Sequence, residues 1–316
     1  MSESARPVIL VTEPLNQTSL DYLAEHGELR RATAETALDA VADADGLVVR
    51  TYTLVNGELL DRAPRLKVVG RAGVALDNID IPACRARGVE VVHTPEANTL
   101  AVVDYTVCMI IRLNRRFWPM SGAMSPEGFH AARRRTFGRF VSSATVGIVG
   151  CGRIGSRVGR AAVGLGMTVL YNDIRPIELD YPAEAVDKPT LYARSDIVTL
   201  HVPLTELTRG LIDAAALAQF KDGAQLINAA RGQCVVYSDL AEALRSGHVS
   251  AAAIDCHDPE PPPEDYPLFG LENVILTPHI AARVPDAVQR MSDVVYDVVA
   301  VLEGRPPRYP AQLDPT

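Results

Sequence analysis

Short apolar runs alternate with helical patterns through roughly the first third of the chain. Runs of this length suit β-strands, and strands that alternate with helices form a parallel sheet through crossover connections. The pattern therefore predicts a first α/β unit. Its predicted strands cover residues 8–11, 46–50, 67–69 and 89–92, with helical segments such as 20–26 and 81–88 between them.

The alternation resumes near residue 145 with runs that are almost wholly apolar. Such strands are typical of a parallel sheet that is covered by helices on both faces. The pattern predicts a second α/β unit. Its predicted strands cover residues 146–149, 168–171, 196–202, 224–228, 249–254 and 274–277.

Two helical patterns flank the second unit. An apolar helix is predicted to begin around Asn98, a good cap residue, and is long enough to pass between domains. An amphipathic helix is predicted over residues 284–303, and we expect it to return to the first unit. The fold class is therefore α/β with two doubly wound parallel-sheet domains. A Rossmann-type nucleotide domain (99–284) is inserted into a flavodoxin-like substrate domain (1–98 plus 285–316).

The sequence GCGRIG at residues 150–155 joins the first strand of the second unit to a helix. Gly150 permits a tight turn, Gly152 lets the backbone approach a pyrophosphate, and Gly155 allows close helix packing. The pyrophosphate then meets free N–H groups at the positive end of the helix dipole. Asp173 follows the next strand, where a carboxylate binds a ribose 2′-hydroxyl. The stretch predicts NAD binding, although Arg175 weakens the preference over NADP.

Composition limits the classes of partner. The chain has 316 residues, a formal net charge of −8 and a 47% hydrophobic content, which describe a globular protein of two domains. The acidic balance argues against nucleic acid or an anionic membrane surface, so a small molecule is the expected partner. Five scattered cysteines without a CxxC pair predict neither disulfides nor a metal site. With no apolar signal segment, the predicted location is cytoplasmic.

The polar segment 126–143 contains three successive arginines at 133–135. A run of like charges is most often solvated, so we interpret the segment as an exposed arm or loop. Contact with substrate or with a partner subunit is the alternative.

Polar residues follow three of the predicted strands downstream of the glycine turn: Arg231, Glu260 and His279. Ligands of doubly wound sheets bind beyond the carboxyl ends of the strands, so these residues should face one crevice. Imidazole suits proton transfer, a neighbouring carboxylate stabilises its protonated form, and a guanidinium grips a carboxylate in two-pronged fashion. The set predicts His279 as acid/base, Glu260 as its partner and Arg231 as the substrate clamp.

Each of these residues also has a structural explanation when taken alone: a cap or salt bridge for Arg231, a loop charge for Glu260, a buried histidine for His279. Two further histidines compete for the proton-transfer role. His257 shares a loop with Glu260 and ranks second, while His201 ends a strand near the expected adenine side and is interpreted as structural.

From about residue 50 to the end, the chain resembles the D-isomer-specific 2-hydroxyacid dehydrogenases, most closely their phosphoglycerate dehydrogenase branch. The resemblance depends on several motifs together: VVGRAGVALDNID, NTLAVVDYT, VGIVGCGRIG, SDIVTLHVPLT, LINAARG, AAIDCHDPEPP and NVILTPHIA. In that family the residues that match Arg231, Glu260 and His279 are the catalytic set.

The resemblance also implies contacts with cofactor and substrate. Asp255 would contact the nicotinamide carboxamide, Asp173 the ribose, and the loop at 71–77 would bind the substrate carboxylate through backbone N–H groups. The implied cofactor contacts are Gly150, Gly152, Arg153, Ile154, Gly155, Asp173, His201, Pro203, Thr205, Ala230 and Asp255. The implied substrate contacts are Arg50, Val74, Ala75 and Asn98. No metal is expected.

Several positions depart from the family pattern. Ala75 replaces a glycine in the carboxylate loop, and Arg283 adds a cation where the family has small residues. The remaining departures are Val236 and Tyr237 in place of an acidic pair, and Cys256 and His257 in place of Val and an aromatic residue. An additional arginine suits an anionic substrate group; a surface salt bridge is the alternative for Arg283.

We therefore expect an NAD-dependent dehydrogenase that interconverts a D-2-hydroxy acid and its 2-oxo acid. The expected substrate is anionic, such as 3-phosphoglycerate, phosphohydroxypyruvate or a phosphonate analogue. The alternatives are a glyoxylate or hydroxypyruvate reductase and, from another class, an NAD(H)-sensing binding protein similar to corepressors of this fold. The resemblance further implies a homodimer through the nucleotide domain. The proposed mechanism also predicts domain closure around the substrate, and the end of the chain soon after the closing helix predicts a short form without a regulatory domain.

Overall fold

The computed structural model describes residues 6–115, 122–135 and 138–312. The chain divides into two compact units: unit 1 comprises Met1–Asn98 and Arg283–Thr316, and unit 2 comprises Thr99–Ala282. The substrate-binding role of the first unit and the NAD-binding role of the second stay predictions at this point.

Helices and strands alternate along most of both units. In chain order the strands are β1 (Val8–Val11), β2 (Glu28–Arg31), β3 (Gly46–Val49), β4 (Val68–Arg71), β5 (Glu90–His93), β6 (Thr145–Val149), β7 (Thr168–Asn172), β8 (Glu184–Ala185), β9 (Ile197–Leu200), β10 (Ala224–Asn228), β11 (Val249–Ile254) and β12 (Val274–Leu276). The helices are α1 (Gln17–His26), α2 (Ala37–Ala40), α3 (Gly57–Asp61), α4 (Ile81–Ala86), α5 (Thr99–Asn114), α6 (Pro126–Arg135), α7 (Arg153–Gly164), α8 (Lys188–Arg194), α9 (Ala214–Leu217), α10 (Tyr237–Ser246), α11 (Pro285–Ser292) and α12 (Val294–Leu302).

Unit 1 contains a parallel sheet of strand order β2-β1-β3-β4-β5, the order of the flavodoxin-like doubly wound fold. Successive residues of a strand point to opposite faces, so Leu47 and Val49 enter one core and Val48 enters the other. Helix α12 covers the face of Val48 with its valines. Gly70 in β4 permits this approach, because a Cβ at that position would overlap Val298.

Two features of unit 1 differ from the sequence-based prediction. Strand β2 was not predicted, because three of its four residues (ELRR) are charged and the strand lies at the sheet edge, half-buried or exposed. The closing helix is broken into α11 and α12 at Asp293, whose N–H lies 3.2 and 3.3 Å from the carbonyls of Gln289 and Arg290. No proline or glycine lies at Asp293, so the sequence gives no signal for the break between the two helices.

Unit 2 contains a parallel sheet of strand order β12-β11-β10-β9-β6-β7-β8. When β6 is numbered strand 1 and the sheet is followed from β8 to β12, this is the Rossmann order 3-2-1-4-5-6 with a seventh strand, β12, added at the end. The order reverses between β6 and β9. The α/β fold class of the sequence analysis is confirmed in both units. Ligands of such sheets bind beyond the carboxyl ends of the strands near this reversal.

The polar segment after α5 also differs from its prediction. Residues Pro126–Arg135 form helix α6 and not a loop, with an acidic residue, Glu127, in the first turn as the helix dipole favours. Residues 126–130, 133 and 134 are exposed, which agrees with a solvated segment. Its composition is polar around most of the helix, which is why hydrophobic periodicity could not reveal it. The side chain of Arg135 lies outside the described residues.

Candidate active site

The glycine turn connects β6 to α7 at the reversal of strand order in unit 2. Gly150 has a φ of 89°, and a side chain there would overlap the carbonyl of His201. A Cβ at Gly155 would overlap the carbonyl of Gly150. Both positions therefore require glycine, and together they press the start of α7 against the end of β6.

Gly152 precedes α7 and has open space around the position of a Cβ. The first turn of α7 contains no acidic residue, and Gly152 offers no side chain to bind the first N–H groups. These N–H groups, at Arg153 and Ile154 among others, belong to the end of a helix that has no intrahelical acceptors for them. The turn thus fits a pyrophosphate, which such N–H groups and the helix dipole attract.

Asp173 lies directly after β7, beside the glycine turn. Its carboxylate accepts hydrogen bonds from the N–H of Cys151 at 2.7 Å and from the N–H of Arg175 at 3.0 Å. These bonds hold the carboxylate beside the glycine turn, and its contact with a ribose stays a prediction. Ile174, the next residue, was not singled out from the sequence although its apolar side chain is 82% exposed. An exposed apolar side chain at a strand end suits the face of a flat ring.

The loop after β9 contains His201, Pro203 and Thr205. His201 Nε2 lies 3.0 Å from the hydroxyl of Thr199, and burial lowers the pKa of His201 to about 3. The imidazole is therefore neutral, which agrees with a structural role. The Thr208 hydroxyl donates to the carbonyl of Pro203 at 2.7 Å and accepts from the N–H of Thr205 at 2.8 Å, so it fixes the turn.

Arg231 lies in the loop after β10, and the fully buried Asn228 shapes this loop. The Asn228 amide donates to the carbonyl of Arg231 at 2.9 Å and accepts from the N–H of Ala230 at 3.0 Å. Arg231 Nη1 donates to the carbonyl of Ala230 at 2.6 Å. Gly232 allows contact with the next loop, because a Cβ there would overlap the carbonyl of His257.

Glu260 and His279 form a hydrogen-bonded pair. His279 Nδ1 lies 2.9 Å from Glu260 Oε2, and the N–H of His257 donates to Glu260 Oε1 at 2.8 Å. Burial acts to raise the pKa of Glu260, but the hydrogen bonds from His279 and from the His257 N–H outweigh it and lower the pKa. An ionised Glu260 keeps the proton on Nδ1. In the described part of the chain, Nε2 makes no hydrogen bond and is left for a substrate.

Asp255 holds the loop on which His279 lies. The fully buried carboxylate accepts from the Thr277 hydroxyl at 2.6 Å and from the N–H groups of Ile280 and Ala281, both at 2.8 Å. The N–H of His279 donates to the carbonyl of Asp255 at 2.9 Å, and His279 adopts a φ of 53°. That φ is unusual for a residue with a side chain and requires such support. A contact of Asp255 with the nicotinamide stays a prediction.

His257 is held inside the fold by both ring nitrogens. Nδ1 lies 3.1 Å from the Tyr266 hydroxyl, and Nε2 lies 2.9 Å from the carbonyl of Thr277. The residue is buried. His257 therefore has no ring nitrogen left for a substrate, which favours His279 as the proton donor.

In unit 1, Arg50 follows β3, next to the reversal of strand order between β1 and β3. The carboxylate of Glu13 accepts the N–H groups of Arg50, Thr51, Tyr52 and Thr53 at 2.8–3.1 Å and so fixes the loop. The guanidinium of Arg50 itself donates to the carbonyl of Pro14 at 3.3 Å.

Arg283 adds a second positive charge near Arg50. Burial, and then the positive charge of Arg283, lower the pKa of Arg50, while Glu13 acts in the opposite direction. Arg283 is exposed and forms no ion pair within the described ranges of the chain. The salt bridge considered for Arg283 is therefore not present there, and its positive charge acts on the guanidinium of Arg50 without an anion paired to it.

In the part of the chain that the structure describes, several N–H groups of the loop at 71–77 have no acceptor, among them those of Val74 and Ala75. Neither Val74 nor Ala75 donates a backbone hydrogen bond within residues 6–115, 122–135 and 138–312. The carbonyl of Val74 is bound by His93 Nδ1 at 3.0 Å, which fixes the loop. The side-chain Oδ1 of Asn98 is likewise buried and lacks a partner within the described residues. Such groups suit the binding of a small polar ligand.

A family model described as "D-isomer specific 2-hydroxyacid dehydrogenase, NAD binding domain" matches residues 107–281, more than half of the chain. The chain belongs to this dehydrogenase family. The resemblance noted from the motifs is thereby confirmed, and so is NAD as the family's cofactor.

Members of the dehydrogenase family with different names resemble the chain to similar degrees. A D-3-phosphoglycerate dehydrogenase of Archaeoglobus fulgidus is 36% identical over 310 residues, which cover 95% of this chain and 58% of that protein. A glyoxylate reductase of Thermofilum pendens is 35% identical over 317 residues, which cover 96% of this chain and 94% of that protein. The chain thus spans little more than half the length of the phosphoglycerate dehydrogenase.

A solved structure of the same family is also similar. The D-lactate dehydrogenase of Aquifex aeolicus, complexed with NAD and lactic acid, has a TM-score of 0.82 and 27% identity, covering 94% of this chain and 96% of that chain.

Unit 2 brings together most of the residues that the sequence analysis expected of a dehydrogenase site. The glycine turn, Asp173, Arg231, Glu260 and His279 all follow carboxyl ends of strands in one parallel sheet. Arg50, Val74, Ala75 and Asn98 belong to unit 1. Across the residues with a described structure, no helix has the length and apolar character needed to cross a membrane.

Proposed function

We propose that this protein is an NAD-dependent dehydrogenase that interconverts a D-2-hydroxy acid and its 2-oxo acid. The Glu260–His279 pair is the observation that carries the proposal, because it leaves Nε2 of an imidazole open at the strand ends of a sheet whose glycine turn fits a dinucleotide. The names of the relatives support the same class of reaction.

Bound NAD supplies the acceptor for a hydride from the α-carbon of the hydroxy acid. His279 Nε2 takes the hydroxyl proton as the carbonyl forms, and Glu260 stabilises the imidazolium that results. In the reverse direction Nε2 returns the proton to the carbonyl oxygen. Arg231 holds the substrate by its carboxylate, and the Asp255 network keeps His279 in one orientation while the proton moves.

For the substrate, we propose an acid with a second anionic group, such as 3-phosphoglycerate and phosphohydroxypyruvate or a phosphonate analogue. Arg50 and Arg283 support this class, since they are like charges near each other and Arg283 forms no ion pair in the described part of the chain. The Val74 and Ala75 N–H groups would bind the α-carboxylate. The similarity to a D-3-phosphoglycerate dehydrogenase agrees with this choice.

A glyoxylate or hydroxypyruvate reductase is the second candidate. The glyoxylate reductase of Thermofilum pendens favours it, because its 35% identity to the chain is almost the same as the 36% of the phosphoglycerate dehydrogenase. This candidate needs no second anionic group in its substrate.

The deciding experiment is NADH oxidation by the purified protein against paired 2-oxo acids, each repeated with NADPH. Phosphohydroxypyruvate and hydroxypyruvate differ only in the phosphate, and oxaloacetate, phosphonopyruvate, 2-oxoglutarate and glyoxylate extend the comparison. We expect the highest kcat/KM for a dianionic acid with NADH. Preference for glyoxylate or hydroxypyruvate would select the second candidate. NADH binding without turnover of any acid would favour an NAD(H)-sensing binding protein over a dehydrogenase.

Homodimer formation through unit 2 and a cytoplasmic location remain proposals from the family resemblance and the composition. Light scattering on the purified protein tests the first of these, with a mass of twice 34.1 kDa expected.

A further inference from the structure

The proposed proton-transfer pair, Glu260 and His279, forms a cluster with Cys256, and all three side chains are of types that bind zinc. One potential ligand atom each from Cys256, Glu260 and His279 lies within 4.8 Å of the others. Cys256 is buried, whereas the side chains of Glu260 and His279 are 19% and 31% exposed. The cluster therefore has an inner sulfur ligand and an outer side that solvent can reach.

The separations are close to those of a zinc site. Ligand atoms around tetrahedral Zn²⁺, at about 2.0–2.3 Å from the ion, lie roughly 3.3–3.8 Å apart. The Glu260–His279 contact of 2.9 Å would open slightly and Cys256 would move inward. Since the ligand atoms lie within 4.8 Å of one another, shifts of about 1 Å would give the zinc separations. The exposed fractions of Glu260 and His279 let solvent supply a water as fourth ligand.

The present partners of the sulfur and of the imidazole are ones that a cation can replace. Cys256 Sγ donates to the carbonyl of Ala230 at 3.4 Å, a weak bond. His279 Nδ1 faces Glu260. On binding, the thiol proton leaves to water and the Nδ1 proton moves to Nε2, so that thiolate, imidazole and carboxylate all act as ligands. The thiolate and Glu260 then balance the charge of the ion.

From this geometry we propose that Cys256, Glu260 and His279 form an inhibitory site for a thiophilic divalent cation, with Zn²⁺ as the representative ion. A cation here occupies Nδ1 and separates Glu260 from His279. Nε2 then carries the proton of a neutral imidazole, so it cannot accept one from a hydroxy acid. In the reductive direction the same N–H is a far weaker acid than an imidazolium and donates poorly to a 2-oxo acid. The proposal adds a regulatory ligand to the proposed function, and binding of the ion does not depend on which acid is turned over.

Cys256 provides the discriminating variant. Valine resembles cysteine in size but cannot bind a cation, and Cys256 takes no part in the proposed hydride or proton transfer. Cys256→Val should therefore keep NADH-dependent turnover and lose the site. Cys256→Ser, which keeps the shape with a much poorer ligand for soft ions, is the second variant if the valine protein does not fold.

The first readout is Co²⁺ binding to the full chain, because a thiolate ligand gives cobalt a strong near-ultraviolet charge-transfer band. We expect this band in the wild type, its displacement by Zn²⁺, and its loss in Cys256→Val and Cys256→Ser. Cys108→Ser, which changes an exposed cysteine, should keep the band. A wild type without the band, or Cys256 variants that retain it, would overturn the proposal whether or not any 2-oxo acid is a substrate.

The second readout is inhibition of NADH oxidation by Zn²⁺, with Mg²⁺ as the control ion. The Zn²⁺ concentration for half-inhibition should rise at least about tenfold in Cys256→Val, since weakening even indirect support of a metal ligand costs that much. A chelator should restore wild-type activity. Equal sensitivity of the two proteins would place the inhibitory ion elsewhere and contradict the assignment.

Discussion

The loops at the strand ends of unit 2 and those of unit 1 differ in how fully their polar groups are paired. In unit 2, Asp255 binds three donors, both ring nitrogens of His257 are engaged, and both oxygens of Glu260 accept hydrogen bonds. His279 Nε2 is left open at the end of this network.

In unit 1 the backbone groups of one loop are paired, whereas the side chains of Arg50 and Arg283 form no ion pair among the described residues. Glu13 binds the N–H groups of residues 50–53, but the guanidinium of Arg50 has a single long bond and Arg283 has none in the described segments. The N–H groups of Val74 and Ala75 also lack acceptors there. We infer that unit 2 is preorganised for one chemical step, whereas the loops of unit 1 keep donors that an anionic ligand must satisfy.

Removing the open nitrogen should have the largest effect. His279→Ala should lower kcat about 10²- to 10⁴-fold, the usual contribution of a positioned acid or base. The dissociation constant for NADH, measured by fluorescence, should change less than about twofold. A twofold change is about 0.4 kcal/mol, less than the loss of one hydrogen bond, and would show that His279 makes no hydrogen bond to NADH. His248→Ala, which changes a half-buried histidine with a backbone partner, is the control. Full turnover by His279→Ala would refute the proton-transfer assignment.

Breaking the paired network should cost stability. The N–H groups of Ile280 and Ala281 bind different carboxylate oxygens of Asp255. In Asp255→Asn the side-chain NH₂ replaces one of these oxygens, so one of the two N–H groups loses its acceptor. The free energy of unfolding, measured in urea, should fall by about 2 kcal/mol. Asp222→Asn changes an aspartate whose side chain is 93% exposed and should have almost no effect. If both variants unfolded at the same urea concentration, the network would not support the His279 loop as inferred.

Glu260→Gln should have a smaller effect on turnover. The amide keeps a hydrogen bond to His279 but does not stabilise a positive charge, so kcat should fall about tenfold, at the lower end of acid–base contributions. The pH above which reduction declines should also move lower. A pH–rate profile of both proteins checks this, and coincident profiles would remove Glu260 from the mechanism.

The same variant tests stability against pH. Folding lowers the pKa of Glu260 below its ordinary value of 4.5, so its stabilising contribution is complete above that value. The contribution is lost as the pH falls through the folded-state pKa. The difference in unfolding free energy between wild type and Glu260→Gln should therefore shrink on acidification below about pH 4.5. A difference that grows in acid would contradict the shift.

The smallest effect is expected in unit 1. Arg283→Ser restores a residue that the family uses there and should raise the KM for a dianionic 2-oxo acid about fivefold, the size of a partly solvated charge contact. The KM for glyoxylate should stay unchanged, and Arg283→Lys should lie between serine and wild type. Equal changes in KM for both acids would show that Arg283 does not bind the second anionic group of the substrate.

Much of unit 2 could be predicted from the sequence because its signals are local. A buried strand, a glycine turn and a helix adjoin each other at residues 145–164, and the carboxyl ends of parallel strands share one edge. That edge is why Arg231, Glu260 and His279 could be grouped without coordinates. The hydrogen bond between Glu260 and His279 agrees with the pairing that the chemistry suggested.

Other features depend on contacts that the sequence does not encode locally. Strand β2 has three charged residues among four and becomes a strand by pairing with β1, and α6 has no apolar stripe. Nothing in the order of residues tells that the sulfur of Cys256 points toward Glu260, since neighbouring side chains of a loop diverge. The expected role of the Val74 and Ala75 N–H groups in binding a carboxylate came from the resemblance to the family, because no sequence pattern in this loop indicates it.

The most direct test of the account follows the hydride itself. Purified protein is incubated with the preferred 2-oxo acid and NADH that carries deuterium at the transferred position of the nicotinamide, and the product is analysed by mass spectrometry and chiral chromatography. We predict a D-2-hydroxy acid with deuterium on its α-carbon, formed by wild type and, over the same time, formed at about 1% of that amount or less by His279→Ala. A product of L configuration, or no labelled hydroxy acid from any acid of the panel while NADH binds, would contradict the account.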